Sequence, residues 1–291
     1  MTQYSIKDLE KLSGIKAHTI RIWEKRYSLL EPERTDTNIR FYSDEELRKI
    51  LNVASLVKRG VKISKIAQMC TEALRNEIIK TDRQSNGVDL RIDQLVRLMI
   101  ELNTSEFEVI LNEIFSELGT EDAVVKVLFP FLEKIGLLWQ IGSIMPVHEH
   151  FVSNLIRNKI IGDTEKLPPV TVGKTVLLFL KEDELHELSL LFYNFLARKN
   201  GSNTIYLGAN VPLQDIAEIS EKYVFDTVFT VFVNAISKES LNKYLNELTE
   251  IFRDKEILIS GLQIRKNHPD IPSGITMVDK PEKFVLKLNA E

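Results

Sequence analysis

Residues 175–197 read TVLLFLKEDELHELSLLFYNFLA. An apolar run, Thr175 to Leu180, gives way to the charged stretch KEDELHE and then to a second apolar run from His186 to Lys199 with helical spacing. The first run is continuous rather than alternating, as expected of a strand covered on both faces in a parallel sheet. The same unit recurs downstream. NTIYLG (203–208), DTVFTVF (226–232) and EILISG (256–261) read as strands, Leu213–Lys222 and Lys238–Phe252 read as helices, and ITMVD (275–279) supplies a fifth strand. Strands alternating with helices predict a doubly wound, flavodoxin-like (Rossmann-like) α/β domain over 172–291. Ligands of such sheets sit beyond the carboxyl ends of the strands. The loop holding Glu184 and His186 is therefore the first place to look for a site.

Upstream, GDTEKLPPVTVG (162–173) carries two adjacent prolines and reads as a linker. Before it, about Val88 to Ile161, apolar residues recur at helical spacing in four runs: Ile92–Ile100, Phe107–Phe115, Val124–Leu138 and Phe151–Ile160. This predicts a four-helix bundle over 88–161. TDRQSNGVD (81–89) reads as the linker ahead of it, leaving 1–75 as a further domain. The chain is thus multidomain, α followed by α/β.

With 291 residues, 44% apolar and 27% charged, the composition is that of a soluble globular protein. No apolar run reaches the ~18 residues of a membrane span, and MTQYSIKDLEK lacks a signal-peptide core. A cytoplasmic protein without membrane contact is expected. The lone Cys70 excludes an internal disulfide framework and a Cys-based zinc finger. The net charge of −4 conceals an uneven distribution: residues 1–75 hold 15 basic and 10 acidic residues, and the remainder 23 basic and 32 acidic. A basic head suits a nucleic-acid partner.

In that head, Ile6, Leu9 and Leu12 form one apolar face, Ser13-Gly14 a turn, and Lys16–Tyr27 a second helix. Ile20, Trp23 and Tyr27 share its inward face. His18, Thr19, Arg21 and Lys25 are left for a major groove, as in a helix-turn-helix. LLEPERTDTNIRFYS (29–43) then reads as a small two-stranded wing, with Arg34, Arg40 and Tyr42 placed to contact phosphates. Helices Asp44–Arg59 and Ser64 onward flank Gly60. The ordered set Trp23-Glu24, Pro32-x-Arg34-Thr35, Arg40-x-Tyr42-Ser43 and Gly60 resembles the winged helix-turn-helix of MerR-family transcription regulators. That resemblance implies double-stranded DNA with a palindromic operator, bound by a homodimer or homotetramer.

The acidic remainder offers residues with ordinary readings first. Trp139 suits a core position, and His148 and His150 lack a nearby third ligand for zinc. Glu149 and His150 suit the start of a helix near Pro146, and His186 suits a helix start. A helical bundle ahead of a parallel sheet with a histidine after its first strand nevertheless resembles the cobalamin-binding unit of methionine synthase. Joined to a MerR-type head, it resembles the light-sensing, cobalamin-dependent repressors of the CarH/LitR group. The resemblance implies that Trp139-x9-Glu149-His150 covers the upper, adenosyl face of adenosylcobalamin. It also implies that Glu184-x-His186 supplies the imidazole below cobalt, with Glu184 or Asp183 orienting it. Ser189, Thr230, Ser260 and Gly261 then fall at the nucleotide-tail positions. Departures are Ser189 for a glycine, Thr230-Val231-Phe232 for Ser-x-Leu, Ser260-Gly261 for Gly-Gly, and Gln140 where light-sensing members carry a second histidine.

Enzyme signatures fail on inspection. GKT (173–175) precedes a strand instead of following one, so it is no phosphate loop. HELSL (186–190) lacks the second histidine of a zinc protease motif. No Gly-x-Gly-x-x-Gly follows the first strand, and a cobalamin mutase would need a separate substrate barrel. The expectation is a regulator, a repressor, that senses cobalamin and responds to light by changing its assembly. The alternative is a MerR-type regulator whose sensor has lost cobalamin and answers another small molecule or partner.

Overall fold

The computed structural model describes residues 4–34, 40–58, 60–69, 73, 88–140, 144–170 and 173–289. It divides into two compact units, Met1–Val152 and Ser153–Glu291.

The first unit opens with α1 (Ile6–Ser13), set by a reciprocal cap in which Ser5 Oγ accepts from the Asp8 N–H and Asp8 returns a bond to the Ser5 N–H. Helix α2 (Ala17–Tyr27) follows the turn at Gly14, its first N–H donating to Glu10. Ile20 and Trp23 are buried, whereas Tyr27 is only partly so. Strands β1 (Glu33–Arg34) and β2 (Arg40–Phe41) pair antiparallel, and Tyr4 bridges to Tyr42 beside them. This is the expected wing; the residues joining its strands, 35–39, lie outside the described set. Helices α3 (Asp44–Lys58) and α4 (Ile63–Ile66) come next.

The bundle helices are α5 (Val88–Ile100), α6 (Thr104–Ala123), α7 (Phe129–Gln140) and α8 (Pro146–Glu165). Two irregularities went unforeseen. Gly119, with φ 74° and ψ 163°, kinks α6. Val124–Leu128 then forms a π-helical turn. Pro130 has no N–H for the Lys126 carbonyl, so the helical ladder cannot continue unchanged there. Phe107 lies 6.1 Å from both Phe131 and Phe151, tying α6, α7 and the start of α8 together. Helix α8 also runs through Gly162 to Glu165, so the expected linker starts later, ahead of Pro168 and Pro169.

The second unit is a five-stranded parallel sheet of β3 (Thr175–Lys181), β4 (Asn203–Val211), β5 (Thr227–Val231), β6 (Glu256–Ser260) and β7 (Ile275–Met277), in the order β4-β3-β5-β6-β7. All five strands fall where the apolar runs place them. Helices α9 (Leu188–Lys199) and α13 (Pro281–Leu288) share one face, where Tyr193 packs 4.4 Å from Phe229 and 4.9 Å from Phe284. Helices α10 (Leu213–Lys222), α11 (Lys238–Ile251) and α12 (Leu262–Asn267) put Ile216, Leu241, Leu245, Leu248 and Ile264 against Leu177, Phe179, Val228 and Ile257 on the other. From β3 the sheet is built outward in both directions. The crevice of such a sheet opens between the carboxyl ends of β3 and β5.

Candidate functional site

Helix α2 leaves His18, Arg21 and Lys25 exposed and Thr19 half-buried, and Arg34 is exposed on β1. Arg40 is half-buried, its Nε 3.5 Å from Glu24 Oε2. Tyr42 departs from the phosphate-contact expectation. Its ring is fully buried and its hydroxyl donates to Glu24 Oε1, so it braces the wing from within instead of facing outward. Burial foremost, then the Glu24 carboxylate, raises its pKa above the phenol value of 10.0. In the sequence Glu24 counts only as half of the Trp23-Glu24 pair, with no role of its own. Its signal was an acidic residue inside an otherwise cationic helix.

Within the bundle, Trp139 and Gln140 occupy the end of α7, and their side chains lie outside the described residues. Glu149 and His150 sit in the first turn of α8 with 3.4 Å between Oε2 and Nδ1. His148 is buried, its Nδ1 accepting the Met145 N–H at 3.1 Å, and so serves the helix start.

At the carboxyl ends of the strands the geometry is tighter. Glu184 is 1% exposed. Its Oε1 lies 2.8 Å from His186 Nδ1 and accepts the His186 N–H at 3.1 Å. Its Oε2 accepts the N–H groups of Val233 and Asn234, at 2.8 and 2.6 Å, from the loop after β5. Burial would raise the Glu184 pKa. The bonds from the His186 ring, Asn234, Val233 and the His186 backbone outweigh it and hold the carboxyl below 4.5. One buried carboxylate thus joins the two loops that flank the crevice and orients an imidazole that is 49% exposed.

It is Glu184, not the other candidate Asp183, that meets His186 Nδ1, while the main chain of Asp183 ties the loop to its neighbours. Asp183 is exposed, with φ 63°, its N–H donates to Asn210 Oδ1, and its carbonyl accepts from Asn234 Nδ2. Asn210 and Asn234, missed in the sequence, brace the loop from β4 and β5. Asn210 is itself at φ 60°, a conformation asparagine tolerates better than most.

Around this centre, Ser189 is half-buried in α9 and Thr230 is fully buried on β5 with no hydrogen-bond partner for Oγ1. Ser260 Oγ donates to the Val278 carbonyl at 2.8 Å. Gly261 has φ 118°, and a Cβ there would stand 2.2 Å from the Phe232 carbonyl oxygen. The loops after β5 and β6 therefore touch main chain to main chain at this point.

Residues 4–73 match the family described as MerR HTH family regulatory protein, and residues 91–161 match the B12 binding domain. The chain carries a MerR-type head and a B12-binding domain. The MerR-type match contains α2 and the wing, and the B12-binding match contains Trp139, Glu149 and His150. Similarity extends across both domains to two curated relatives from Myxococcus xanthus. The HTH-type transcriptional repressor CarH is 26% identical over 271 residues, 91% of this chain and 90% of the relative. The repressor CarA is 26% identical over 284 residues, 96% and 94%. Among solved structures, the monomethylamine corrinoid protein of Methanosarcina barkeri aligns over 68% of this chain and 97% of its own, at 14% identity and a TM-score of 0.52, a likeness of fold.

Proposed function

We propose that the protein is a DNA-binding transcription regulator whose sensor takes cobalamin, with His186 as the protein ligand to cobalt. The observation that carries the sensor reading is the 2.8 Å contact between Glu184 and His186 Nδ1 beside the crevice of the sheet. A carboxylate on one ring nitrogen fixes the ring and raises its basicity, a recurrent support for a metal-binding imidazole. With Nδ1 so engaged, Nε2 is the nitrogen for the metal.

The donor set fits a corrinoid. Among the described residues no group of three or more His, Cys, Asp or Glu could hold a metal ion, so a metal at His186 needs a carrier that brings most of its own ligands. A bound corrin would supply a cobalt centre, and His186 would be the side chain that holds it. Thr230 Oγ1, buried without a partner, offers a polar contact to the nucleotide tail. Ser189 and Ser260 are further tail contacts, and Gly261 lets the loops after β5 and β6 close on each other beside them. On the bundle, Trp139, Glu149 and His150 would be the residues that meet the adenosyl group.

The head supplies the output through His18, Thr19, Arg21 and Lys25 on α2 and Arg34 and Arg40 on the wing. Two half-sites one turn of DNA apart suit a dimer or a tetramer. Coupling requires that cobalamin bind one assembly better than another. CarH and CarA are named repressors, and repression is the sign we assign here, with adenosylcobalamin as the ligand form and light as the signal that ends it.

The test is the absorbance spectrum of the protein loaded with adenosylcobalamin in the dark, alongside His186→Ala, with mass by size exclusion before and after green light. A cobalt spectrum that depends on His186 is expected. Identical spectra from the two proteins, or no retained corrinoid, would reject the sensor and leave a regulator of another ligand. In gel shifts, Arg21→Ala and Arg40→Ala should each weaken binding to the operator; unchanged affinity in both would reject the proposed DNA face.

A further inference from the structure

Helix α2 carries one large apolar side chain that faces outward. Ile22 is 54% exposed, in a helix whose inward side is already filled by Ile20 and Trp23. At 3.6 residues per turn, Ile22 stands one turn beyond His18 and nearly one turn before Lys25 and Arg26, with Arg21 beside it. All four of these neighbours are exposed and basic in type. Nothing local calls for isoleucine here. A straight-chain polar residue has the better helix propensity and spares water an apolar surface.

The apolar group therefore sits in the middle of a cationic face that phosphates attract. What a major groove offers such a group is the C5-methyl of thymine, the one apolar feature on any base edge there. We propose that Ile22 reads a thymine methyl in each half-site, as a specificity-determining contact. This rests on the DNA-binding reading above and deepens it. The basic residues fix the helix on the backbone, which carries no sequence information, while Ile22 separates thymine from the other bases at one position.

The full-length protein is used to select duplexes from a random library, and each thymine of the selected site is replaced in turn by deoxyuridine, which lacks only the methyl. Burying one methyl-sized group contributes about 0.8 kcal/mol, roughly a fourfold change in affinity. Wild type should lose about that factor at one thymine per half-site. Ile22→Ala should bind the thymine duplex more weakly and no longer distinguish thymine from uracil there, with an unchanged circular-dichroism melt. Ile22→Val provides a second, milder variant that should keep part of the discrimination. A wild type indifferent to every thymine-to-uracil change overturns the proposal, as does an Ile22→Ala protein that keeps the wild-type loss at the same thymine. If no duplex is enriched at all, the DNA-binding reading itself fails and takes the proposal with it.

Discussion

Glu184 Oε1 lies 2.8 Å from His186 Nδ1, and the other oxygen of the same carboxylate is held by the N–H groups of Val233 and Asn234. The imidazole is thus aimed by a group that is itself fixed from a different loop. On the proposed reading this separates two roles: His186 as ligand and Glu184 as the residue that positions it.

Glu184→Gln keeps the size of the side chain but loses its charge and places an NH2 where one acceptor oxygen stood. Corrinoid affinity should fall by about 10–100-fold, the range for loss of a carboxylate behind a metal-binding histidine. His186→Ala should go further and abolish the His-dependent cobalt spectrum. Absorbance titration in the dark measures both. Equal affinity of wild type and Glu184→Gln would mean that the carboxylate only holds the loops together.

Acid provides an independent probe of the same group. The folded-state pKa of Glu184 is below 4.5, so the ionised form is favoured by the fold. Its contribution to stability is fully present above the unfolded value and is lost as pH falls through the folded one. Melting temperature should accordingly drop as pH is taken below 4.5, and more steeply in wild type than in Glu184→Gln. Parallel melting curves for the two proteins across that range would contradict the assignment.

Tyr42→Phe removes the phenol that donates to Glu24 from inside the wing. The Glu24 side chain, 10% exposed, would keep Arg40 at 3.5 Å but lose its neutral donor. A loss of about 1–3 kcal/mol is expected for a buried acceptor left short of a partner. Urea unfolding followed on the head's helices gives the number, and DNA affinity should fall with it because one of the ties between α2 and the wing is gone.

Two glycines give opposite signs. Gly261→Ala would drive a methyl to 2.2 Å from the Phe232 carbonyl, at a φ of 118°. It should cost about 1–3 kcal/mol or more, since neither backbone can yield cheaply. Gly162→Ala, inside α8 with nothing within 4 Å of the added group, should gain about 0.5–1 kcal/mol. Thermal melts read both, and stabilisation by Gly261→Ala would refute the close approach of the two loops.

The strands were legible because burial on both faces leaves long apolar runs, and the head because capping, turn and wing residues follow one another at fixed spacing. Local signals carry local structure. The π turn at Val124–Leu128 escaped because its cause, Pro130, lies inside a run that otherwise keeps helical spacing. The end of α8 escaped because Gly162 reads as a breaker, yet the helix continues until Thr164 Oγ1 bonds back to the Ile160 carbonyl at 2.7 Å. The inward side of Tyr42 was not legible because it follows a strand of only two residues, too short for alternation to say which side is inward. At the sheet, His186 and Glu184 could be found from their place after the first strand. The choice of Glu184 over Asp183, and the braces Asn210 and Asn234, depend on bonds between loops far apart in sequence, and no period records those.

One such distance shapes how the protein is made. The N–H groups that fix the Glu184 carboxylate lie 49 and 50 residues further along the chain. During synthesis from the N-terminus, the His186 loop leaves the ribosome well before its anchor does. The imidazole acquires its bearing only once β5 has joined the sheet and the following loop has closed. On the proposed reading, cobalamin would meet a fully oriented His186 only after that closure.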